Sequence, residues 1–200
     1  MKILILIFYF LYCSVVFATE NCSASQGGPD VMGVKVDLLE QFDFVASDQQ
    51  HKKALILKNK NKFLIEFESC QDYRCRQSKI IEYAYWANLQ GKKCHLKLDN
   101  ISGEWVDKNE SAIYKTLSLA TYKGRPASYA YIVRENPPEG VEDAFGRWKL
   151  VGCEINTIEV ESTNGRIFIQ GMDLLILRAA NGVLVLTDGE NIYSYIRDAK

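Results

Sequence analysis

From position 3 to position 18 the chain carries no charged residue, and beyond it the apolar residues recur in short, regularly broken groups. The opening run follows Met1-Lys2, ends on Val16-Phe17-Ala18 and gives way at once to polar Thr19-Glu20-Asn21. A basic start, an apolar middle and small or branched residues before a polar break predict a secretory signal peptide over 1–18. A membrane anchor wants about 20 apolar residues, and the run is somewhat short for that. Residues 19–33 are polar and rich in Gly and Ser, which predicts a flexible leader. One exported β-rich domain is then expected over 34–200, with any sub-boundary at the Pro137-Pro138 loop near 137–140.

Within that domain two periods compete. Leu38, Leu39, Phe42 and Val45 have helical spacing and predict one short amphipathic helix. Elsewhere alternation dominates. Residues 54–57 and 63–67 flank a polar K-N-K-N-K stretch at 58–62 and read as strand, turn, strand. Residues 79–87 alternate aromatics, and Cys94, Leu96 and Leu98 share a strand face opposite His95, Lys97 and Asp99. Residues 111–122 fit a helix or a strand, whereas 128–134 reads as strand.

After Gly146 strands are expected at 148–153, 157–161, 166–170, 173–178, 183–186 and 192–196. Asn-Gly at 164–165 and 181–182 and Asp-Gly at 188–189 supply the positive φ of tight hairpins. Leu174, Leu175, Ile176 and Leu177 are apolar on both faces, so their strand should be covered on both sides. The expected fold class is mainly β: antiparallel sheets, as a meander, sandwich or partly closed barrel, with one or two short helices. A weak internal echo pairs Tyr83/Tyr85 with Tyr129/Tyr131. G-x-W at a first strand marks lipocalin-like barrels, and the chain holds two, Gly103-Glu104-Trp105 and Gly146-Arg147-Trp148. Neither is expected to open an eight-strand run, because too little chain follows Gly146, so no such resemblance is drawn.

Charge narrows the partners. Without Lys2 the chain holds 23 basic and 25 acidic residues, a net charge of −2. That balance argues against nucleic acid, and no second run approaches membrane-spanning length. Cysteine usage suits an oxidising compartment, secreted or periplasmic. With Cys13 in the signal peptide, Cys22, Cys70, Cys75, Cys94 and Cys153 remain. Several pairings fit; Cys70–Cys75 as a local loop and Cys94–Cys153 as a long-range staple are expected, leaving Cys22 over. N-x-S sequons stand at Asn21, Asn100 and Asn109.

Catalytic chemistry is thin. The only histidines, His51 and His95, lie outside any zinc-ligand spacing, so no metal and no cofactor is expected. On a strand Cys94 and His95 point to opposite faces and cannot pair as nucleophile and base. Cys75 lies between Arg74 and Arg76, which would activate a free thiol, although a bridge to Cys70 is the simpler use. Glu66/Glu68 and Glu159/Glu161 each share a strand face and could serve as an acid–base pair of a small secreted hydrolase. Three Tyr-x-Tyr pairs, Tyr83/Tyr85, Tyr129/Tyr131 and Tyr193/Tyr195, put two rings on one face apiece. Were those strands neighbours, Tyr83, Tyr85, Tyr129 and Tyr131, with Trp86 as anchor, would form an aromatic platform for a protein partner. The expected function is therefore a non-enzymatic, exported, disulfide-stapled protein-binding domain, for example a periplasmic inhibitor or immunity protein against a cell-wall hydrolase. The alternatives are the hydrolase and a small-ligand carrier.

Overall fold

The computed structural model describes residues 30–91, 93–107, 114–133, 144–162 and 173–198. Helix α1 (Val31–Asp48), a 3-10 turn (Gln50–Lys52), α2 (Lys53–Ser69), α3 (Tyr73–Gln90) and the short α4 (Leu98–Ile101) precede the sheet. The strands are β1 (Gly103–Val106), β2 (Tyr114–Tyr122), β3 (Arg125–Val133), β4 (Ala144–Val151), β5 (Glu154–Ser162), β6 (Asp173–Ala180), β7 (Val183–Thr187) and β8 (Ile192–Arg197). Each strand pairs antiparallel with its chain neighbour, and β8 returns to β1 through Trp105↔Arg197 and Val106↔Ile196. The eight strands therefore form a closed up-and-down barrel. Antiparallel β and a barrel agree with the sequence reading.

The helices correct it. Residues 54–57, 63–67 and 79–87 are helical, not strands, and the polar 58–62 stretch is mid-helix, not a turn. In α2 the buried side chains are Ile56, Phe63 and Phe67, spaced by seven and then four, which is one helical stripe. Ile65, which would share a strand face with both phenylalanines, is 72% exposed. In α3 the stripe is Ile80, Tyr83, Ala84 and Ala87. Asp72 caps this helix by accepting from the Cys75 N–H at 2.7 Å. Helix α1 is capped by Asp30, which accepts from the Gly33 N–H at 2.9 Å, so Val31, Met32 and Gly33 belong to the helix and not to a leader. Residues 94–98 are not a strand either.

The three long helices pack together and onto the outside of β6 and β7, sharing one core with Leu175, Leu177 and Val185. Phe42 stacks on Phe63 at 6.3 Å and on Trp86 at 5.9 Å. Phe42 and Phe63, both fully buried, each contribute about 1.5–3 kcal/mol. The second core fills the barrel: Trp105, Leu117, Leu119, Tyr129, Tyr131, Trp148, Leu174, Ile176, Leu184, Tyr193 and Tyr195 point inward. Strand β6 is covered on both faces, as its run of four aliphatics predicts. Asn181 (φ 54°) and Gly182 (φ 73°) make the tight β6–β7 turn.

Both expected disulfides are formed. Cys70–Cys75 joins the end of α2 to the first turn of α3, and Cys94–Cys153 ties the segment after α3 to the turn between β4 and β5. Cys22, the signal peptide, the 137–140 boundary, the turn at 163–165 and the strand expected at 166–170 lie outside the described residues.

Candidate functional site

Antiparallel order gives the barrel two unlike ends. At one, where β1 starts and β8 finishes, the sequence seals the interior. Gly103 adopts φ +134° and stands where an added Cβ would meet Arg197 Nη1 at 2.6 Å. The Arg197 guanidinium lies 4.6 Å from the centroid of the Trp105 ring, and its Nη2 donates to the carbonyls of Asp99 (3.1 Å) and Asn100 (3.2 Å). Trp105 Nε1 donates to the Ile101 carbonyl at 2.8 Å, and Ile101 is itself fully buried in the barrel core. Helix α4 is thus bolted across this base. The G-x-W triplet at 103–105 does open an eight-strand run, contrary to the sequence reading; the other, at 146–148, lies inside β4.

The opposite rim, where β1, β3, β5 and β7 finish, is lined with tyrosine. Tyr114 and Tyr131 have centroids 4.6 Å apart at an interplanar angle of 56°, and Tyr129 lies near-parallel to Tyr131 at 6.0 Å. The Tyr193 hydroxyl donates to Asp188 Oδ2 at 2.5 Å. Asp188 Oδ1 accepts from the Glu190 and Asn191 N–H groups at 2.9 and 2.8 Å, which holds the β7–β8 turn. Burial pushes the Asp188 carboxyl up, but the bonds from Tyr193, Asn191 and Glu190 outweigh it and hold it below its usual range. Burial, then Asp188 itself, raise the phenols of Tyr193 and Tyr114, so these rings stay neutral donors.

The protein-binding platform is not formed. Tyr83 is buried on α3 against Phe63 at 5.3 Å, and Tyr129 and Tyr131 are buried inside the barrel. Tyr85 and Trp86 are half-buried on α3, Tyr85 against Gly189 of the β7–β8 turn and Trp86 against Phe42. Tyrosine alternation is the same on an exposed strand and a barrel lining, and on α3 it was not alternation of faces at all. The missed members are Tyr114, Tyr193 and Asp188. Tyr193/Tyr195 carried the same signal, and Asp188 stood in view only as a turn residue.

The carboxylate pair also fails as an acid–base couple. On a helix Glu66 and Glu68 diverge by about 200° around the axis. Glu66 pairs with Lys79 at 2.8 Å and Lys62 at 3.5 Å, and Glu68 with Lys35. Hydrogen bonds from Lys79 and from Lys35 lower the two pKa values, whereas a general acid needs one raised. Glu159 and Glu161 lie on β5, with side chains outside the described residues. Of the sequons, Asn100 is exposed on α4, and Asn21 and Asn109 lie outside the described residues.

A second polar cluster lies between α1 and the barrel wall. His95 Nδ1 contacts Gln41 Oε1 and lies 3.9 Å from Cys153 Sγ. Cys94, His95 and Cys153 have ligand atoms within 4.8 Å of one another, but the two sulfurs are bonded to each other and provide no thiolate for a metal or for catalysis. The adjoining cavity, lined by Asp37, Gln41 and His95 among others, has about 20 Å³, room for one water and no more. Burial pushes the His95 pKa below its usual 6.5, with Glu40 partly opposing. An unfolded chain then binds a proton that the folded one refuses, so His95 leaves stability intact above pH 6.5 and erodes it as pH falls toward the folded value. Thermal melts between pH 8 and pH 5 should show Tm falling on the acid side, and His95→Gln should flatten that slope; an unchanged slope would assign it elsewhere.

No family model matches the chain, and no curated protein or solved structure matches it either.

Proposed function

We propose that this chain is an exported carrier that takes a small ligand at the tyrosine-lined end of its barrel. The observation that carries the reading is the asymmetry of the barrel: one end bolted by α4, Trp105 and Arg197, the other lined by Tyr114, Tyr131 and Tyr193. Eight strands are the number that either just fills with side chains or holds one small ligand. Side chains fill the interior here, so a guest would sit at the tyrosine end, where each ring gives a large apolar face and a hydroxyl that orients it. The two disulfides belong with extracellular proteins, and no described helix is long and apolar enough to cross a membrane.

The test is native mass spectrometry of the secreted chain alongside its denatured mass. A stoichiometric adduct lost on denaturation is the expected result. An adduct-free protein whose Trp105 and Trp148 fluorescence ignores every small apolar probe would sink the reading.

A second reading, the protein-binding domain, is supported by a different surface from the one first expected. Ile132 and Phe145 face outward on adjacent strands β3 and β4 at 51% and 45% exposure. Capture of one stoichiometric extracytoplasmic protein, lost on Ile132→Asp, would favour it over the carrier.

A further inference from the structure

Gln41, Cys94, His95 and Cys153 meet at the joint between the helical layer and the barrel. Cys94 and His95 are neighbours in sequence, and on a strand they would point apart. Residues 94–98 are not a strand, and both side chains reach the β4–β5 turn, where the ligand atoms of Cys94, His95 and Cys153 lie within 4.8 Å of one another. His95 Nδ1 is 3.9 Å from Cys153 Sγ. Gln41 Oε1 is 3.6 Å from the same sulfur and also contacts His95 Nδ1. Gln41 is 5% exposed, and its Nε2 has no hydrogen-bond partner among the described residues. Burying a carboxamide with its donor unpaired costs free energy, so its place against this cluster asks for a reason.

The donor set is that of a soft divalent ion: two sulfurs, an imidazole nitrogen and a neutral oxygen. A tetrahedral zinc ion with its usual bond lengths keeps sulfur, nitrogen and oxygen donors about 3.5–3.8 Å apart. The Cys153–His95 and Cys153–Gln41 separations, 3.9 and 3.6 Å, are already edges of such a tetrahedron. In the oxidised chain the bond between Cys94 and Cys153 withholds both thiolates. That bond is reachable, because Cys94 is half-buried while Cys153 is only 3% exposed, so a reducing thiol meets the Cys94 sulfur first.

We propose that reduction of Cys94–Cys153 turns this joint into a zinc site, with Cys94, Cys153 and His95 as ligands and the Gln41 carboxamide facing the fourth position. The reductant is a dithiol. It gives two electrons and two protons and becomes a disulfide, while the Cys94–Cys153 bond breaks to two thiols. Zinc then binds both sulfurs as thiolates, and the two thiol protons pass to solvent. The ion takes over the connection that the disulfide makes in the oxidised chain, between the segment after α3 and the barrel. The site lies outside the barrel, so it is independent of the carrier reading.

The experiment titrates cobalt(II), a spectroscopic stand-in for zinc, into the exported chain with and without a phosphine reductant. Cys22→Ser, Cys70→Ser and Cys75→Ser leave Cys94 and Cys153 as its only cysteines. The reduced chain should take up one equivalent, with a sulfur-to-cobalt charge-transfer band and the visible bands of a tetrahedral ion. Zinc should displace the cobalt, and the oxidised chain should bind none. His95→Gln should weaken zinc binding at least about tenfold and shift the visible bands, which two thiolates acting alone would not show. Reduction also removes a staple, so far-UV circular dichroism accompanies the titration, and any structure lost on reduction should return when zinc is added. A reduced chain that takes up no cobalt, or that unfolds and is not restored by zinc, would overturn the proposal. Unchanged affinity and spectrum in His95→Gln would overturn it as well.

Discussion

Replacing Trp105 by alanine should cost about 3–5 kcal/mol, the range for emptying a buried aromatic site. Trp105 is 1% exposed and holds the base of the barrel from three sides. Its ring carries the Arg197 guanidinium at 4.6 Å, its indole N–H satisfies the Ile101 carbonyl at 2.8 Å, and its strand partner across the barrel closure is Arg197. Truncation removes packing, leaves the Ile101 carbonyl without that donor and loosens one of the contacts that close β8 onto β1. Arg197→Met should cost less, about 1–3 kcal/mol, because the methionine stem still covers the ring while the bonds to Asp99 and Asn100 are lost. The two effects share an interaction, so the double variant should fall short of their sum by about 0.5–3 kcal/mol. Urea unfolding followed by far-UV circular dichroism measures all three. A Trp105→Ala cost below about 1 kcal/mol would mean that the base is not sealed as described.

The barrel half of the molecule was legible because its signals are local and steric. Asn181-Gly182 can make a tight hairpin and little else, and four consecutive aliphatics at 174–177 cannot sit on a one-sided sheet. The helical half was hidden by coincidence of spacing. Phe63, Ile65 and Phe67 look like one strand face, and only the burial of Ile56, seven residues before Phe63, shows the helical stripe. Tyr83 and Tyr85 made the same false alternation: the helix buries Tyr83 and turns Tyr85 toward Gly189. The G-x-W at 103–105 is obscured by its twin: counted from Gly146 too little chain remains for eight strands, whereas eight begin at Gly103. Its partner, Arg197, lies at the far end of the chain, and no local period announces a contact across that distance. The tyrosine rim was half legible: the residue type was singled out, but which face it lined depended on closure of the sheet.

The second large effect is the loss of the long staple. Cys94 and Cys153 are 59 residues apart in sequence, and opening that loop should cost about 4 kcal/mol on the chain-entropy account. The short bridge, Cys70–Cys75, spans five residues and should cost only about 2 kcal/mol when removed. The two also act on different parts of the fold. Cys70–Cys75 lies wholly between α2 and α3, so its removal should loosen the hinge of one helical pair. Cys94–Cys153 joins the helical layer to the barrel, beside a network in which the Cys153 N–H donates to Asn88 Oδ1 at 2.8 Å and His95 contacts Gln41. Cys94→Ser with Cys153→Ser should therefore lower stability and separate the two halves in time. Hydrogen exchange in α1, α2 and α3 should rise well before exchange in β2, β3 and β4, because the barrel keeps its own core and its own closure. Uniform acceleration across both halves would show instead that barrel and helices unfold as one unit, with the disulfide stabilising the whole and not the joint.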